Sequence, residues 1–569
     1  MQSALTFSTA IHCVSVLPSS TSMKITSARV NGTVACSQPL AAQIGIDILK
    51  QGGNAADAAV AIAAALNVTE PMSTGLGGDC FCLFYDSETK QVKSINGSGR
   101  SPGALSLDEF HKAGFSRDKL PPKVHPLNIT VPGAAAAWVD THELFGSGKL
   151  TFSEILQPAI QLATNGFPVS PLTATQWKDN LHQLIREENP NRGEMLINGE
   201  SPRAGEIMKM PNLASTFQEL ATKGKAGFYE GRIAEAVVES VRAGGGVMTL
   251  DDLKRHNSTM EDPICTSYRG IKVWECPPNG QGITTLLTLN ILEELDLDGL
   301  GPASPEYIHL VAEALKLSFS DSLQFCADPA VVHVPTEGLL SKEYARKRST
   351  LINHKQASKV SHGSPGHGGD TVYFCAVDCH GNACSFTNST YDAFGSGLVQ
   401  RTVDLLYRYL LCFQNRGTLF QLQEDHPNCP SGSKRSFHTI IPSMLTRDED
   451  DVLLAAYGIM GGFMQPQGQV QLVMNMCHFG QEPQTALDQP RFRVGVSLEG
   501  LDGTLYLEEG FPPETIECLS GMGHVVKSNI TGTERQEFGR GQIITRGDWW
   551  LSLEVYGHPI LRYYGRLRP

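Results

Sequence analysis

The chain has no hydrophobic run long enough to cross a membrane as a helix. Its longest apolar stretch, Ala58 to Leu66, has Asp57 at its edge, whereas a span needs about 20 residues. The first 23 residues are rich in Ser and Thr. They lack a basic segment followed by an apolar core, so no signal peptide is read. There is no Cys-x-x-Cys pair and no His-Glu-x-x-His, which removes the usual zinc spacings. There is no Gly-x-x-x-x-Gly-Lys-Ser/Thr, so a P-loop is excluded. No repeat of 20–50 residues is present. Positive charge is also scarce: 46 Lys and Arg stand against 59 Asp and Glu, for a net charge of −13. That balance argues against nucleic acid or an anionic membrane as the main partner. The 14 Cys follow no framework spacing, which fits reduced thiols and a cytoplasmic location. Sequons such as Asn31-Gly-Thr and Asn128-Ile-Thr would matter only in a secreted chain.

What is present is ordinary globular material: 569 residues, 41% hydrophobic and 18% charged, ample for a deep core. Ser37 reads as a helix N-cap, with Pro39 in the first turn and Leu40, Ile44 and Ile48 on one face. Gly52-Gly53 stop that helix. A second helix, from Asn54 to about Asn67, is apolar all round and therefore buried. The glycines at 75, 77 and 78 form a turn into a buried strand, Cys80 to Tyr85. Cys80 and Cys82 share a face of it but are too far apart to bond. Residues 150–330 read as mainly helical, with a clear helical pattern from Leu310 to Ser320. The last third is richer in strands, at Thr439–Leu445, Val452–Tyr457 and Gln542–Thr545, with a helix near Val470 to Phe479. Helices with strands in both parts imply layered α/β or α+β architecture.

The character of the chain changes abruptly at Asp370-Thr371. From about Leu351 to Asp370 it is polar and rich in Gly, Ser and His, as an exposed loop is. His362 and His367 there read as solvated loop histidines rather than metal ligands. Thr371 to Val377 then alternates as a strand, Asp378 to Asn382 is turn chemistry, and Ala383 to Thr387 is a second strand. Were the Asp370–Thr371 bond cut, the Thr371 hydroxyl would lie beside its own α-amine. The ordinary pKa of such an amine, about 7.7–8, suits a base at neutral pH. This is one known way to activate a weak nucleophile.

In sequence the chain resembles the γ-glutamyltransferase (glutathione hydrolase) family of N-terminal-nucleophile hydrolases, from about Ala28 to the C-terminus. The resemblance is carried by "GGNAADAAVAIAAALNVTEPMSTGLGGDCF" (52–81), "QPAIQLATNGFPVS" (157–170), "FYEGRIAEAVV" (228–238), "DTVYFCAVDCHGNA" (370–383) and "ALDQPRF" (486–492). It implies an α+β fold, a four-layer αββα sandwich. It implies a flexible segment over 1–27, a large fragment over 28–370 and a small fragment over 371–569, the two fragments staying together as one domain. It also implies self-cleavage between Asp370 and Thr371, no cofactor and no metal. Thr371 matches the family's nucleophile and Ser389 a supporting hydroxyl. Gly461-Gly462 match the glycines whose N–H groups form an oxyanion hole.

The departures concern substrate recognition. His438-Thr439 stand where the family has a Ser-Ser pair. Arg100 is the candidate for its carboxylate-binding arginine, about two residues out of register. Tyr391, Arg416 and Leu419 stand where the family grips an α-amino group. None of the three accepts from an ammonium as a carboxylate does, and Arg416 repels it. The resemblance implies a threonine amidohydrolase or acyltransferase acting on γ-glutamyl amides such as glutathione, with water or an amino acid as acceptor. Two other readings stay open: an acylase for glutaryl-like amides, and an unprocessed pseudoenzyme acting as a scaffold. A metal-dependent hydrolase has no ligand set in the sequence. The stretch from Arg401 to Phe413 matches the family poorly.

Overall fold

The structure is a computed structural model. It describes residues 7–11, 31–187, 189, 192–358, 370–398, 412–497, 500–547 and 549. The helix Ala55–Thr69 begins at Asn54, whose side chain accepts from the Ala56 and Asp57 amides while Asp57 reaches back to the Asn54 amide. Such a reciprocal cap satisfies N–H groups that the helix itself leaves open. Every residue of this helix is buried. The preceding chain comes close to it at Gly45, which has no side chain in the way: a Cβ there would lie 2.6 Å from Ile62 Cδ1.

Two six-stranded antiparallel sheets form the centre. One runs Gly32–Ala35, Asp370–Asp378, Ala383–Tyr391, Asp79–Asp86, Gln91–Gly97, Thr259–Glu261. The other runs Phe7–Ile11, Gly541–Arg546, Leu453–Ile459, Ser443–Arg447, Ile271–Glu275, Ile264–Tyr268. Alternation along the strands fills both faces. Tyr373, Cys375 and Val377 meet Met444, Ala456 and Ile544 between the sheets. Val372, Phe374 and Ala376 pack outward on the helices Ala55–Thr69 and Ala134–Phe145. The second sheet is covered by Gly282–Glu293, Pro305–Phe325 and Met464–Cys477. The order of layers is thus αββα, as the family resemblance implies. Both sheets interleave strands from before and after residue 370. No helix among the described residues is long and apolar enough to cross a membrane.

Several local expectations are corrected. The first helix is Pro39–Lys50, capped at Gln38 rather than Ser37 and without a side-chain cap bond. Leu40 is exposed; Ala41, Gly45, Ile46, Ile48 and Leu49 make the buried face. Within the mainly helical 150–330 lies the hairpin Ile264–Tyr268 and Ile271–Glu275. Its two-residue turn has φ of +47° at Arg269 and +83° at Gly270, the twist a tight hairpin needs. Arg-Gly gives a weaker signal for that turn than Asn-Gly. Residues 7–11, placed within a flexible segment, pair with Gly541–Arg546 and cover its open edge. The strand expected from Thr439 starts only at Ser443. Asn128 of the second sequon is buried and donates to the Pro122 carbonyl at 2.9 Å. His362, His367 and Arg401 to Leu411 lie outside the described residues.

Candidate active site

Thr371 is the second residue of the strand Asp370–Asp378, and the hairpin is irregular there. Asp370 faces Tyr391 and Val372 faces Asn388, so the register slips across Thr371. A slip of this kind re-aims a side chain. Thr371 is 2% exposed. Its hydroxyl donates to Ser389 Oγ at 3.3 Å, and Gln465 Nε2 donates to Thr371 Oγ1 at 3.5 Å. Gln465 lies three residues past Gly462, in the helix Met464–Cys477. The glycine pair therefore turns between the strand Leu453–Ile459 and this helix, beside the hydroxyl pair. Gly461 has φ +104° and Gly462 +58°, a left-handed path that glycine takes at no steric cost. The Gly462 carbonyl accepts from Gln281 Nε2 at 2.9 Å. The glycine cluster at 75–78 serves the same region: a Cβ on Gly78 would lie 2.3 Å from the Ser389 carbonyl.

A buried polar network backs the hydroxyls. Ser389 Oγ accepts from the Tyr391 amide at 2.9 Å and from Arg416 Nη2 at 3.3 Å. Arg416, 1% exposed, donates through Nη1 to Thr439 Oγ1 at 2.7 Å and lies 4.6 Å from the centre of the Tyr391 ring. Tyr391 holds φ +78°, an uncommon conformation for a bulky residue and one found at functional sites. Behind Arg416 is Asp79, whose Oδ2 lies 3.8 Å from its Nε. Asp79 Oδ1 accepts from the Gly99 amide at 2.7 Å and from Gln414 Nε2 at 2.8 Å. Its Oδ2 meets His438 Nε2 at 2.9 Å. Burial pushes the Asp79 carboxyl up to about 7, with the Arg416 guanidinium opposing. Burial also holds His438 well below the usual histidine range. The Ile440 amide donates to His438 Nδ1, so the neutral ring carries its proton on Nε2 and donates to Asp79. Burial lowers Arg416 to about 10, which leaves it charged at neutral pH.

Thr371, Ser389, Thr439, His438 and the Gly461-Gly462 turn are thus brought together. Arg100 is directed elsewhere: its Nη1 donates to the Asn257 carbonyl at 3.2 Å. The guanidinium beside the hydroxyls is Arg416's, and the carboxylate behind it, Asp79, was not singled out by the sequence reading. Its one signal is an acid at the buried end of the strand Asp79–Asp86, next to an apolar run, which demands a partner. The spacing Gly99-x-Ser101-x-Gly103 matches a hydrolase elbow. Yet Ser101 Oγ donates to the Ser431 carbonyl at 2.5 Å and accepts the Lys434 amide at 3.0 Å, away from this site. His309, Glu313 and His524 have ligand atoms within 4.8 Å of one another. The Lys316 ammonium already pairs with Glu313 at 2.7 Å, and His309 bonds His524 and the Asn353 carbonyl.

Comparison with known proteins supplies context. Residues 41–553 match the family described as Gamma-glutamyltranspeptidase. The chain is 38% identical over 490 residues to the glutathione hydrolase-like YwrD proenzyme of Bacillus subtilis (strain 168), covering 86% of this chain and 90% of that one. It is 32% identical over 514 residues to the Acylase ACY 1 proenzyme of Pseudomonas sp. (strain V22), covering 87% of each. Its fold matches the crystal structure of cephalosporin acylase from Bacillus halodurans with a TM-score of 0.82 at 36% identity, over 94% of this chain and 96% of the other.

Proposed function

The chain belongs to the gamma-glutamyltranspeptidase family, and on that premise we propose that it is a self-processing amidohydrolase whose nucleophile is Thr371. The observation that carries this reading is the Thr371 hydroxyl, 3.3 Å from Ser389 Oγ at the irregular start of a buried hairpin. In processing, Thr371 Oγ attacks the Asp370 carbonyl, the peptide C–N bond breaks, and water opens the resulting ester. The freed α-amine is then the general base for acyl transfer. Ser389 orients the hydroxyl, and the amides of Gly461 and Gly462 face the oxyanion. The fragments 28–370 and 371–569 stay together because each contributes strands to both sheets.

The acyl group preferred is one that carries a carboxylate and no α-ammonium. Arg416 and Thr439, 2.7 Å apart, offer donors to an anion, whereas Tyr391, Arg416 and Leu419 include no carboxylate to accept from an ammonium. Relatives named for acylase activity and for glutathione hydrolysis make glutaryl-like and γ-glutamyl amides the two classes to compare. The test of the nucleophile is processing itself. Purified protein should run as two fragments of roughly 40 and 22 kDa, by proportion of chain length, the smaller beginning at Thr371. Thr371→Ala should stay whole and inert. A single band from wild type would favour a scaffold, and cleavage of Thr371→Ala at the same bond would assign the cut to another protease.

A further inference from the structure

Four glutamines, Gln465, Gln467, Gln469 and Gln471, are buried along one helix. Each uses its amide as a substitute for a neighbouring strand. Gln467 and Gln471 each bond both the amide and the carbonyl of one residue, Val494 and Phe492. Gln465 Oε1 accepts the Ile441 amide at 3.0 Å, and Gln469 Nε2 donates to the Ile441 carbonyl at 3.0 Å. These two residues therefore hold the irregular segment that carries Thr439. Of the four, Gln465 alone spends its donor on something other than backbone: its Nε2 points at Thr371 Oγ1, at 3.5 Å.

We propose that Gln465 is a catalytic residue that stabilises Thr371 Oγ as the leaving oxygen during deacylation, an inference resting on Thr371 as nucleophile. In the acyl-enzyme Oγ is an ester oxygen, a poor acceptor. In deacylation water attacks the acyl carbon and gives its proton to the α-amine. The C–Oγ bond breaks with its electron pair going to Oγ, and the α-ammonium returns the proton to it. As that bond breaks Oγ gains negative charge, and a hydrogen bond to it shortens and strengthens. A donor that interacts more strongly with the transition state than with the ground state accelerates the step, and a bond that is long beforehand can tighten in the transition state. Gln465 fits this role because its Oε1 is pinned by Ile441, which fixes the direction of Nε2.

The variant Gln465→Glu, assayed at a pH high enough to ionise a buried carboxyl, separates the donor from the scaffold, since the carboxylate still accepts from Ile441 but cannot donate to Oγ. With a p-nitroanilide substrate, processed Gln465→Glu should release one burst equivalent of p-nitroaniline. The acyl adduct should then be visible on the 371–569 fragment by intact mass. Steady-state kcat should fall about 10-fold or more, with KM falling in parallel. Gln469→Leu, which disturbs the same segment without touching Thr371, should show no burst. If Gln465→Glu processes slowly, hydroxylamine should split its accumulated Asp370–Thr371 ester. A folded Gln465→Glu with kcat within twofold of wild type and no adduct overturns the proposal, as does an equal burst from Gln469→Leu. Self-cleavage of Thr371→Ala would instead remove the nucleophile on which the proposal rests.

Discussion

Replacing Arg416 by Gln should erase a preference for acyl groups that lack an α-amine. A glutaryl and a γ-glutamyl p-nitroanilide differ only by that amine, so the ratio of their kcat/KM values isolates what the site does to it. Arg416 is buried, charged, and bonded to Thr439 and to Ser389, the hydroxyl beside Thr371. An ammonium about 5 Å from this guanidinium, at an effective dielectric of about 20, is repelled by about 3 kcal/mol. The Asp79 carboxylate, 3.8 Å from Arg416 Nε, offsets part of that. Wild type should therefore favour the glutaryl compound by about 10- to 100-fold, and Arg416→Gln should bring the ratio within about threefold of one. The substitution also deprives Asp79 of its principal cation, so its carboxyl, already pushed up to about 7, will take a proton. Breaking a buried pair costs on the order of 3–5 kcal/mol and lowers the folded fraction. Both substrates are measured on one sample, so that loss cancels from the ratio. A wild-type preference for the glutamyl compound above about 10³-fold, or a ratio unmoved by Arg416→Gln, refutes the reasoning.

Gly462→Ala should lower kcat by about 10²-fold or more in folded, processed protein; its φ of +58° is one that alanine tolerates at a cost of about 1–2 kcal/mol. An unchanged kcat would remove the oxyanion role. His256 is buried against the Tyr229 ring, 5.3 Å between centroids, and neither ring nitrogen has a hydrogen-bond partner among the described residues. Burial lowers it to about 3. The folded state holds it neutral while the unfolded chain takes up a proton below about 6.5, so stability falls as pH drops from about 6.5 toward 3. Between pH 6.5 and 5 the loss should be about 1.6 kcal/mol. Urea unfolding of wild type and His256→Phe at both pH values checks this, and an equal loss in the variant would place the titration elsewhere.

The hairpin that carries Thr371 was legible because the composition changes sharply at its start: polar chain before residue 370, apolar alternation after it. The helix Ala55–Thr69 was legible for a similar reason, since an all-apolar segment with a capping Asn has one place to go. Of the network around Thr371, the family resemblance pointed to Ser389, Arg416 and His438, but Asp79 and Gln465 were not singled out, because local pattern carries no information on which distant polar groups will meet. The glutamine helix shows the physical limit most clearly. Gln465, Gln467, Gln469 and Gln471 recur every second residue, a period that belongs to strands, and they are polar in a place that is wholly buried. Both signals argue against the core helix Met464–Cys477 that they occupy. The conflict disappears only when the neighbours are known: the segment before Ser443 and the strand Phe492–Ser497 leave amides and carbonyls open on that side. A primary amide is an uncharged side-chain group that, like a peptide, offers an N–H donor and a C=O acceptor in one plane. A polar residue in a core is therefore informative in proportion to what it pairs with. Asp79 and Gln465, which look like exceptions to burial in the sequence, are the residues that tie Arg416 and Thr371 to the fold.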